Sequence, residues 1–229
     1  MQGPTGGQRQ LTQRLKTAGR RKVSSQRWLE RQLNDPYVVA ARTQGWRSRA
    51  AFKLIEIDNK HRLIKPGHVV VDLGAAPGGW TQVAVDRVKS QDGRGHVIAL
   101  DILEMEPLPG AETIMLDFMD ETAPARLRAG LRDGGAHVVM SDMAAPTTGH
   151  TKTDHLRIMG LAEAAAEFAM EVLRPGGAFL CKMFQGGTER HLLDLLKRNF
   201  ATVRHIKPPA SRADSSELYV LATGFRGTQ

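Results

Sequence analysis

The sequence predicts an α/β fold in which a mostly parallel sheet has helices on both faces and an antiparallel strand at its end. Two observations predict this class. From residue 68 onward, short apolar segments alternate with helical ones, and near-continuous apolar strands are typical of a parallel sheet covered on both faces. The last two predicted strands are separated by a loop alone, which is typical of an antiparallel pair.

Seven strands and several helices are predicted. The predicted strands cover residues 68–73, 96–101, 112–116, 137–142, 178–184, 201–207 and 217–223. The predicted helices between them cover residues 80–89, 123–132, 154–173 and 188–198, and Arg174 to Gly177 is predicted to end the longest one. Three helices are predicted ahead of the sheet: one from Ser24 or Ser25 to about residue 33, one that starts at Asp35 and Pro36, and one over residues 48–61.

The composition suits one globular domain with a small extension. The chain has 229 residues, of which 41% are hydrophobic, and this excludes a wholly disordered or collagen-like protein. No stretch approaches the roughly 20 apolar residues of a transmembrane helix, so no membrane partner is expected. The single cysteine, Cys181, excludes an intramolecular disulfide. The eight histidines are scattered without a cysteine cluster, so surface or capping roles are favoured and no metal site is expected.

Positive charge is concentrated at the start of the chain. The formal charge is +8, but residues 1–65 hold 15 Lys and Arg against 4 Asp and Glu, and the remainder is slightly acidic. We divide the chain into a basic disordered tail (1–22), a basic helical extension (23–65) and an α/β domain (66–229). A basic head typically binds polyanions, so a nucleic acid partner is expected. Alternatively, the tail is a solvated segment or a mitochondrial transit peptide.

A glycine-rich turn from Gly74 to Gly79 follows the first predicted strand. In doubly wound folds this turn binds a nucleotide. Ala76 stands where a dinucleotide fingerprint has the glycine that admits the pyrophosphate, and Pro77 lacks the N–H that a phosphate would accept from. The turn therefore favours a nucleoside ligand without a pyrophosphate, and it argues against a nicotinamide-dependent dehydrogenase.

Two acidic residues follow neighbouring strands of the predicted sheet. Asp101 ends the second strand, where an acid typically binds ribose hydroxyls. Asp117 follows the third strand, where a carboxylate can accept a hydrogen bond from an adenine amino group. Together with the glycine turn, they predict S-adenosyl-L-methionine as the cofactor.

Five sequence motifs resemble those of the FtsJ/RrmJ family, the RlmE-type 2′-O-methyltransferases of large-subunit ribosomal RNA. They occupy residues 48–54, 72–80, 141–144, 182–186 and 211–217, and the resemblance extends over about residues 25–224. It implies a Rossmann-like S-adenosylmethionine-dependent methyltransferase fold for residues 66–229. One departure is Ala145, since family members often have proline directly after the Asp-Met-Ala motif.

The resemblance also implies site residues and a substrate. A catalytic tetrad falls on Lys53, Asp142, Lys182 and Glu217. Cofactor-binding positions, with the first glycine of the turn, fall on Gly74, Gly78, Trp80, Asp101, Asp117 and Asp142. The implied substrate is a uridine 2′-hydroxyl in the A-loop of 23S-type rRNA within the assembled large subunit. We expect a cytoplasmic monomer that needs no metal.

The chemistry expected of the tetrad centres on Lys182. A ribose hydroxyl is a very weak acid, so a basic group must meet its proton during attack. Lys182 ends an apolar strand, and we hypothesise that it acts either as the base or as a hydrogen-bond anchor for the hydroxyl. Asp142 would orient Lys182, while Lys53 and Glu217 would position Lys182 and the ribose.

Basic residues in the head and near the last strand are predicted to contact RNA. They are Arg20, Arg21, Lys22, Arg27, Arg31, Arg47, Arg49 and Arg212. Two alternatives to the rRNA methyltransferase keep the same fold. One is a 2′-O-methyltransferase of tRNA or another RNA, and the other is a non-catalytic rRNA-binding assembly factor.

Deletion of residues 1–22 is predicted to weaken RNA binding and to leave cofactor binding intact, because this segment holds basic residues and no acidic one. Affinity for an rRNA fragment, measured across a salt series, should be lower for the truncated chain and should depend less steeply on salt. Calorimetry with S-adenosylmethionine is the control. Unchanged RNA affinity at every salt concentration would contradict the prediction.

Overall fold

The computed structural model describes residues 30, 33–131, 135–145, 149–184, 190–212 and 215–227. In these parts of the chain, seven strands form one sheet in the order β3-β2-β1-β4-β5-β7-β6. Their bounds are β1 Val69–Leu73, β2 His96–Asp101, β3 Glu112–Met115, β4 Ala136–Ser141, β5 Leu173–Phe184, β6 Phe200–Ile206 and β7 Glu217–Phe225. Strand β7 lies between β5 and β6 and runs antiparallel to both, whereas the other neighbouring pairs are parallel. The predicted fold class is confirmed.

Helices pack on both faces of this sheet. Their bounds are α1 Pro36–Gln44, α2 Ala50–His61, α3 Gly79–Val88, α4 Ala123–Gly130, α5 Thr151–Val172 and α6 Arg190–Asn199. One core cluster joins β1 and β2 to α4 and α5, and a second joins the opposite face of the sheet to α2 and α3. Among the described helices, none is long and apolar enough to cross a membrane.

The helical extension is packed into the second core cluster. Helix α1 begins as predicted, because the Asp35 carboxylate accepts a hydrogen bond from Tyr37 N at 3.0 Å and Pro36 occupies the first turn. In α2, Phe52 is fully buried together with Val70 of β1 and Trp80 of α3. The division of the chain at residue 65 stays a prediction, as does the tail, which lies outside the described residues.

The strand register places the ends of distant segments at one edge of the sheet. Leu73 at the end of β1 is level with Ser141 at the end of β4. Phe184 at the end of β5 pairs with Glu217, the first residue of the antiparallel β7. The residues that follow β1 and β4, and those that begin β7, therefore meet at the carboxyl edge, where α/β folds bind their ligands.

The long helix ends at Val172, close to the predicted end before Arg174 to Gly177, but the predicted start of the next strand at residue 178 is wrong, since β5 already begins at Leu173. Ala136 pairs with Leu173, whereas Val138 pairs with Ala178, so the β5 side holds extra residues that bulge between these two pairs. Glycine and proline mark such irregular strands as readily as turns.

The helix predicted from Ser24 or Ser25 falls almost wholly outside the described residues.

Asp58 joins the end of α2 to α3. Its buried carboxylate accepts a hydrogen bond from Ile64 N at 2.9 Å and pairs with Arg87 Nε at 3.3 Å. Asp58→Ala should lower the free energy of unfolding by about 2 kcal/mol, because a buried donor and a cation lose their acceptor. Asp58→Asn should lose less, since an amide oxygen can still accept from Ile64 N. Urea unfolding measures both changes.

Asp86→Ala is the matched control. Asp86 also pairs with a basic side chain, Lys89, but it is 62% exposed, so its removal should change the free energy of unfolding by less than about 0.5 kcal/mol. Equal losses for Asp58→Ala and Asp86→Ala would contradict the role assigned to Asp58.

Candidate active site

Lys182 and Asp142 form one half of a charged cluster at the carboxyl edge. Asp142 directly follows β4, and Lys182 lies near the end of the neighbouring β5. Lys182 Nζ donates to the backbone oxygen of Asp142 at 2.6 Å and lies 3.2 Å from its Oδ1. A lysine ammonium group has three donors, and in the described part of the chain only Asp142 takes any of them. Lys182 therefore has a donor left for a substrate.

Lys53 and Glu217 form the other half. Lys53, on α2, donates to Glu217 Oε1 at 2.6 Å. The Ser211 hydroxyl lies 3.2 Å from the same oxygen. Helix α2 and the start of β7 are thereby joined across the edge of the sheet, which explains why a lysine of the basic extension reaches the site.

Tyr219 connects the two halves. Its hydroxyl donates to Asp142 Oδ1 at 2.8 Å, accepts from Lys53 Nζ at 3.1 Å and lies 3.2 Å from Glu217 Oε1. Burial, together with the nearby carboxylates of Asp142 and Glu217, raises the pKa of Tyr219 well above its usual value. The hydroxyl therefore keeps its proton and acts as a fixed donor to Asp142.

Tyr219 is not among the site residues predicted from the sequence, although a signal was present. Residues two apart in a strand point to the same face of the sheet, so Tyr219 lies on the same face as Glu217.

The structure brings together all four predicted tetrad residues, and their two lysines balance their two carboxylates. Both lysines are more than 90% buried, which is tolerated because each has a carboxylate partner. The catalytic roles of the four residues stay predictions.

A pocket of about 400 Å³ lies beside this cluster, above the ends of β1, β2 and β4. Three predicted cofactor residues, Gly74, Asp101 and Asp117, line it. Much of the remaining wall is apolar, and the other lining residues are Leu100, Ile102, Phe118, Met119, Met143, Ala144, Ala145, Arg157, Gly160 and Leu161. An apolar cavity with two carboxylates fits a nucleoside that carries hydroxyl and amino donors. The last three residues belong to α5, which the sequence analysis did not connect with this site.

The two pocket carboxylates are fixed by backbone N–H groups. Asp101 accepts from Ala76 N at 2.9 Å and from Leu103 N at 2.8 Å, and so it also holds the glycine turn. Asp117 accepts from Met119 N at 2.9 Å. Each carboxylate oxygen can accept more than one hydrogen bond, so a ligand can still bind.

Gly74 is required by a close approach of two loops. Its φ is +76°, and a Cβ there would lie 2.7 Å from the Met143 backbone. Gly78, in contrast, lies beside Arg47, and Trp80 is buried, with Nε1 donating to Ala50 O at 2.9 Å. Neither Gly78 nor Trp80 lines the pocket, so their predicted cofactor contacts stay predictions.

Three of the predicted RNA-binding arginines have partners within the chain. The Arg47 guanidinium donates to the backbone oxygens of Glu106 and Pro107 at 2.6 and 2.8 Å. Arg49 and Arg212 each lie 3.1 Å from the Asp35 carboxylate. Their contact with RNA stays a prediction. The other five predicted residues, Arg20, Arg21, Lys22, Arg27 and Arg31, lie outside the described residues.

The fold and the site together define a Rossmann-like methyltransferase. Its features are a mostly parallel sheet, a glycine turn, a nucleoside-sized pocket and a Lys-Asp-Lys-Glu cluster. A family model described as FtsJ-like methyltransferase matches residues 46–225, and the chain belongs to this family. The resemblance that the motifs indicate is thereby confirmed.

No group of three or more His, Cys, Asp or Glu side chains suited to a metal ion occurs among the described residues.

Curated relatives match along almost the whole chain. Ribosomal RNA large subunit methyltransferase E of Paramagnetospirillum magneticum is 63% identical over 228 residues, which are 99% of this chain and 93% of that protein. The protein of the same name from Bradyrhizobium diazoefficiens is 67% identical over 213 residues, or 93% of each chain.

Solved structures agree with the fold. A ribosomal RNA methyltransferase structure from Plasmodium falciparum superposes with a TM-score of 0.71 at 29% identity and covers 80% of this chain and 100% of that one. A SAM-dependent O-methyltransferase from Thermotoga maritima has a TM-score of 0.50 at 14% identity, with 77% of this chain and 65% of that chain covered. The second likeness concerns the fold alone.

Asp72 lies beneath the site and is fully buried in β1. One carboxylate oxygen accepts from the Thr81 hydroxyl at 2.7 Å, and the other has no hydrogen-bond partner among the described residues. Burial raises the pKa of Asp72 from 3.8 to about 7, opposed by the Thr81 hydrogen bond and assisted by Asp142 and Asp101. Because the folded-state pKa is raised, ionisation of Asp72 costs stability as the pH rises from about 4 to about 7.

At pH 8, Asp72→Asn should therefore raise the free energy of unfolding by about 4 kcal/mol more than it does at pH 4. The asparagine stays neutral, and its amide oxygen can accept from Thr81. Urea unfolding from pH 4 to pH 8 measures the difference, with the exposed Asp92→Asn as control. A difference between wild type and Asp72→Asn that does not vary with pH would contradict the raised pKa.

Proposed function

We propose that the protein transfers a methyl group from S-adenosyl-L-methionine to the ribose 2′-hydroxyl of a uridine in 23S-type rRNA. The observation that carries this proposal is the buried Lys182, paired with Asp142 and left with a free donor beside the nucleoside-sized pocket. The substrate is supported by the curated relatives, which are named as large-subunit rRNA methyltransferases. The proposed target is the A-loop in the assembled 50S subunit.

The pocket residues suit the proposed cofactor. Asp101 would accept from ribose hydroxyls and Asp117 from the adenine amino group, while Gly74 and Met143 form the wall nearest Asp142. When bound, S-adenosylmethionine supplies an activated methyl group on a positively charged sulfonium. The protein has mainly to position the acceptor and to manage its proton.

Lys182 would hold the 2′-oxygen of the acceptor. As an ammonium group, it donates a hydrogen bond that fixes this oxygen for in-line attack. As a neutral amine, it accepts the hydroxyl proton while the new O–C bond forms. In both roles Asp142 keeps Nζ in place through two contacts.

Lys53 and Glu217 would position the reacting groups. Both contact the Tyr219 hydroxyl, and among the described residues it is this hydroxyl that connects them to Asp142. Their removal should therefore disturb the orientation of Asp142 more than the binding of the cofactor.

We place the protein, acting as a monomer, in the cytoplasm, where ribosomal subunits are its proposed substrate.

Lys182→Ala should abolish methyl transfer and retain cofactor binding, because Lys182 does not line the pocket. Transfer of labelled methyl groups should be measured on large subunits, on protein-free rRNA and on tRNA from cells that lack the gene. Calorimetry reports cofactor affinity. Lys60→Ala is the matched control, since Lys60 is an exposed lysine on the same helix as Lys53.

The three substrates separate the alternatives. Labelling of large subunits by wild type and Lys60→Ala, with loss in Lys182→Ala, supports the proposal. Labelling of tRNA alone would favour a tRNA methyltransferase. Cofactor-independent RNA binding without transfer would favour an assembly factor, and full activity of Lys182→Ala would overturn the role of Lys182.

A further inference from the structure

The side chain of Arg47 joins two segments that border the candidate cofactor pocket. One is the glycine turn after β1, and the other is the β2–β3 loop, residues 102–111. Arg47 Nη1 donates to Glu106 O at 2.6 Å and Nη2 donates to Pro107 O at 2.8 Å. Nη1 also lies 3.4 Å from Pro77 O. A single guanidinium from the basic extension thereby bridges the glycine turn and the β2–β3 loop.

The backbone of Arg47 is fixed by a glutamine of α3, the helix that follows the glycine turn. Arg47 N donates to Gln82 Oε1 at 2.7 Å, and Gln82 Nε2 donates to Gly45 O at 3.1 Å. The chain between α1 and α2 is therefore attached to α3 by two hydrogen bonds of one side-chain amide. The Arg47 side chain leaves from a fixed point.

The close approach of Arg47 to the turn requires a glycine. Gly78 has φ +106°, and a Cβ there would lie 2.9 Å from Arg47 Cδ and 3.0 Å from Met105 Sδ. A side chain at position 78 would occupy space that Arg47 and Met105 use. Gly78 thus lets the guanidinium cross the turn and reach the β2–β3 loop.

Asp101 joins the same two segments from the pocket side. Its carboxylate accepts from Ala76 N in the glycine turn and from Leu103 N in the β2–β3 loop, and it lines the pocket. Arg47 does not line the pocket, so it holds these segments from outside. Without Arg47, their relative position would rely more on the carboxylate that the ligand also needs.

We infer that Arg47 is a positioning residue for the cofactor pocket, which rests on the proposed function because the cofactor is S-adenosylmethionine. The role depends on the shape of the guanidinium. Its planar fork donates to several acceptors in a fixed geometry, whereas a lysine ammonium is a compact point charge. An RNA phosphate contact of Arg47, in contrast, depends mainly on its charge.

Calorimetry with S-adenosylmethionine on the full chain tests the role of Arg47. Arg47→Gln should weaken cofactor affinity about threefold to tenfold, since part of the free energy of two hydrogen bonds is lost to the pocket. Arg47→Lys keeps the charge but should recover only part of this affinity. In methyl-transfer assays, the KM for the cofactor should rise while kcat at saturating cofactor stays close to that of wild type.

Arg42→Gln is the matched control. Arg42 is exposed on α1 and its loss changes the net charge equally, so cofactor affinity should be that of wild type. Urea unfolding without cofactor is measured for each variant. A role in stability alone would lower the free energy of unfolding of Arg47→Gln and would leave the cofactor affinity of the folded protein unchanged.

Three outcomes would overturn the inference. Equal cofactor affinity in wild type and Arg47→Gln would overturn the role of Arg47 alone. Unchanged cofactor affinity, with rRNA-fragment binding lost in Arg47→Gln and restored in Arg47→Lys, would support an RNA contact in its place. Absence of cofactor binding by wild type would overturn the proposed cofactor together with this inference, so the two failures are distinguishable.

Discussion

The carboxylate of Asp142 joins the charged groups on which the candidate active site depends. It contacts Lys182 directly, and through the Tyr219 hydroxyl it reaches Lys53 and Glu217. Two lysines are costly to bury without partners, and here each lies against an acid. Removal of Asp142 would leave Lys182 buried without a carboxylate, so the orientation of Lys182 and the stability of this edge have the same origin.

The topology of the sheet is what assembles this network. Strands β1, β4 and β5 are parallel, so the residues that follow β1 and β4 meet near the end of β5. Strand β7 contributes from its beginning because it runs antiparallel to β5, with Glu217 level with Phe184. Helix α2 completes the network with Lys53, and its apolar residues are buried in the core beneath the site. The basic extension thereby contributes a side chain to the candidate active site.

Most strand positions were predictable from local patterns, and the four residues of the charged cluster were predictable from the motifs that resemble the FtsJ/RrmJ family. Contacts that depend on register or on loop packing were not. The spacing of Tyr219 places it on the same strand face as Glu217, but its contacts with Lys53 and Asp142 depend on the positions of α2 and the end of β4. The stacking of His68 on His137 requires the parallel pairing of β1 with β4. Arg47 had the pattern of an RNA-binding residue, but its guanidinium lies against backbone oxygens 59 and 60 residues away in sequence. No periodicity reveals such partners.

We propose that the Lys182–Asp142 pair directs a methyl group to a ribose oxygen. The most direct test of this proposal is to identify the methylated atom. Large subunits from cells that lack the gene are incubated with the protein and labelled S-adenosylmethionine, and the modified nucleoside is identified by mass spectrometry and by resistance of the adjacent phosphodiester to alkaline hydrolysis. We expect the label on the ribose 2′-oxygen of a uridine. A label on a base, with the adjacent phosphodiester still cleaved by alkali, would contradict the proposal.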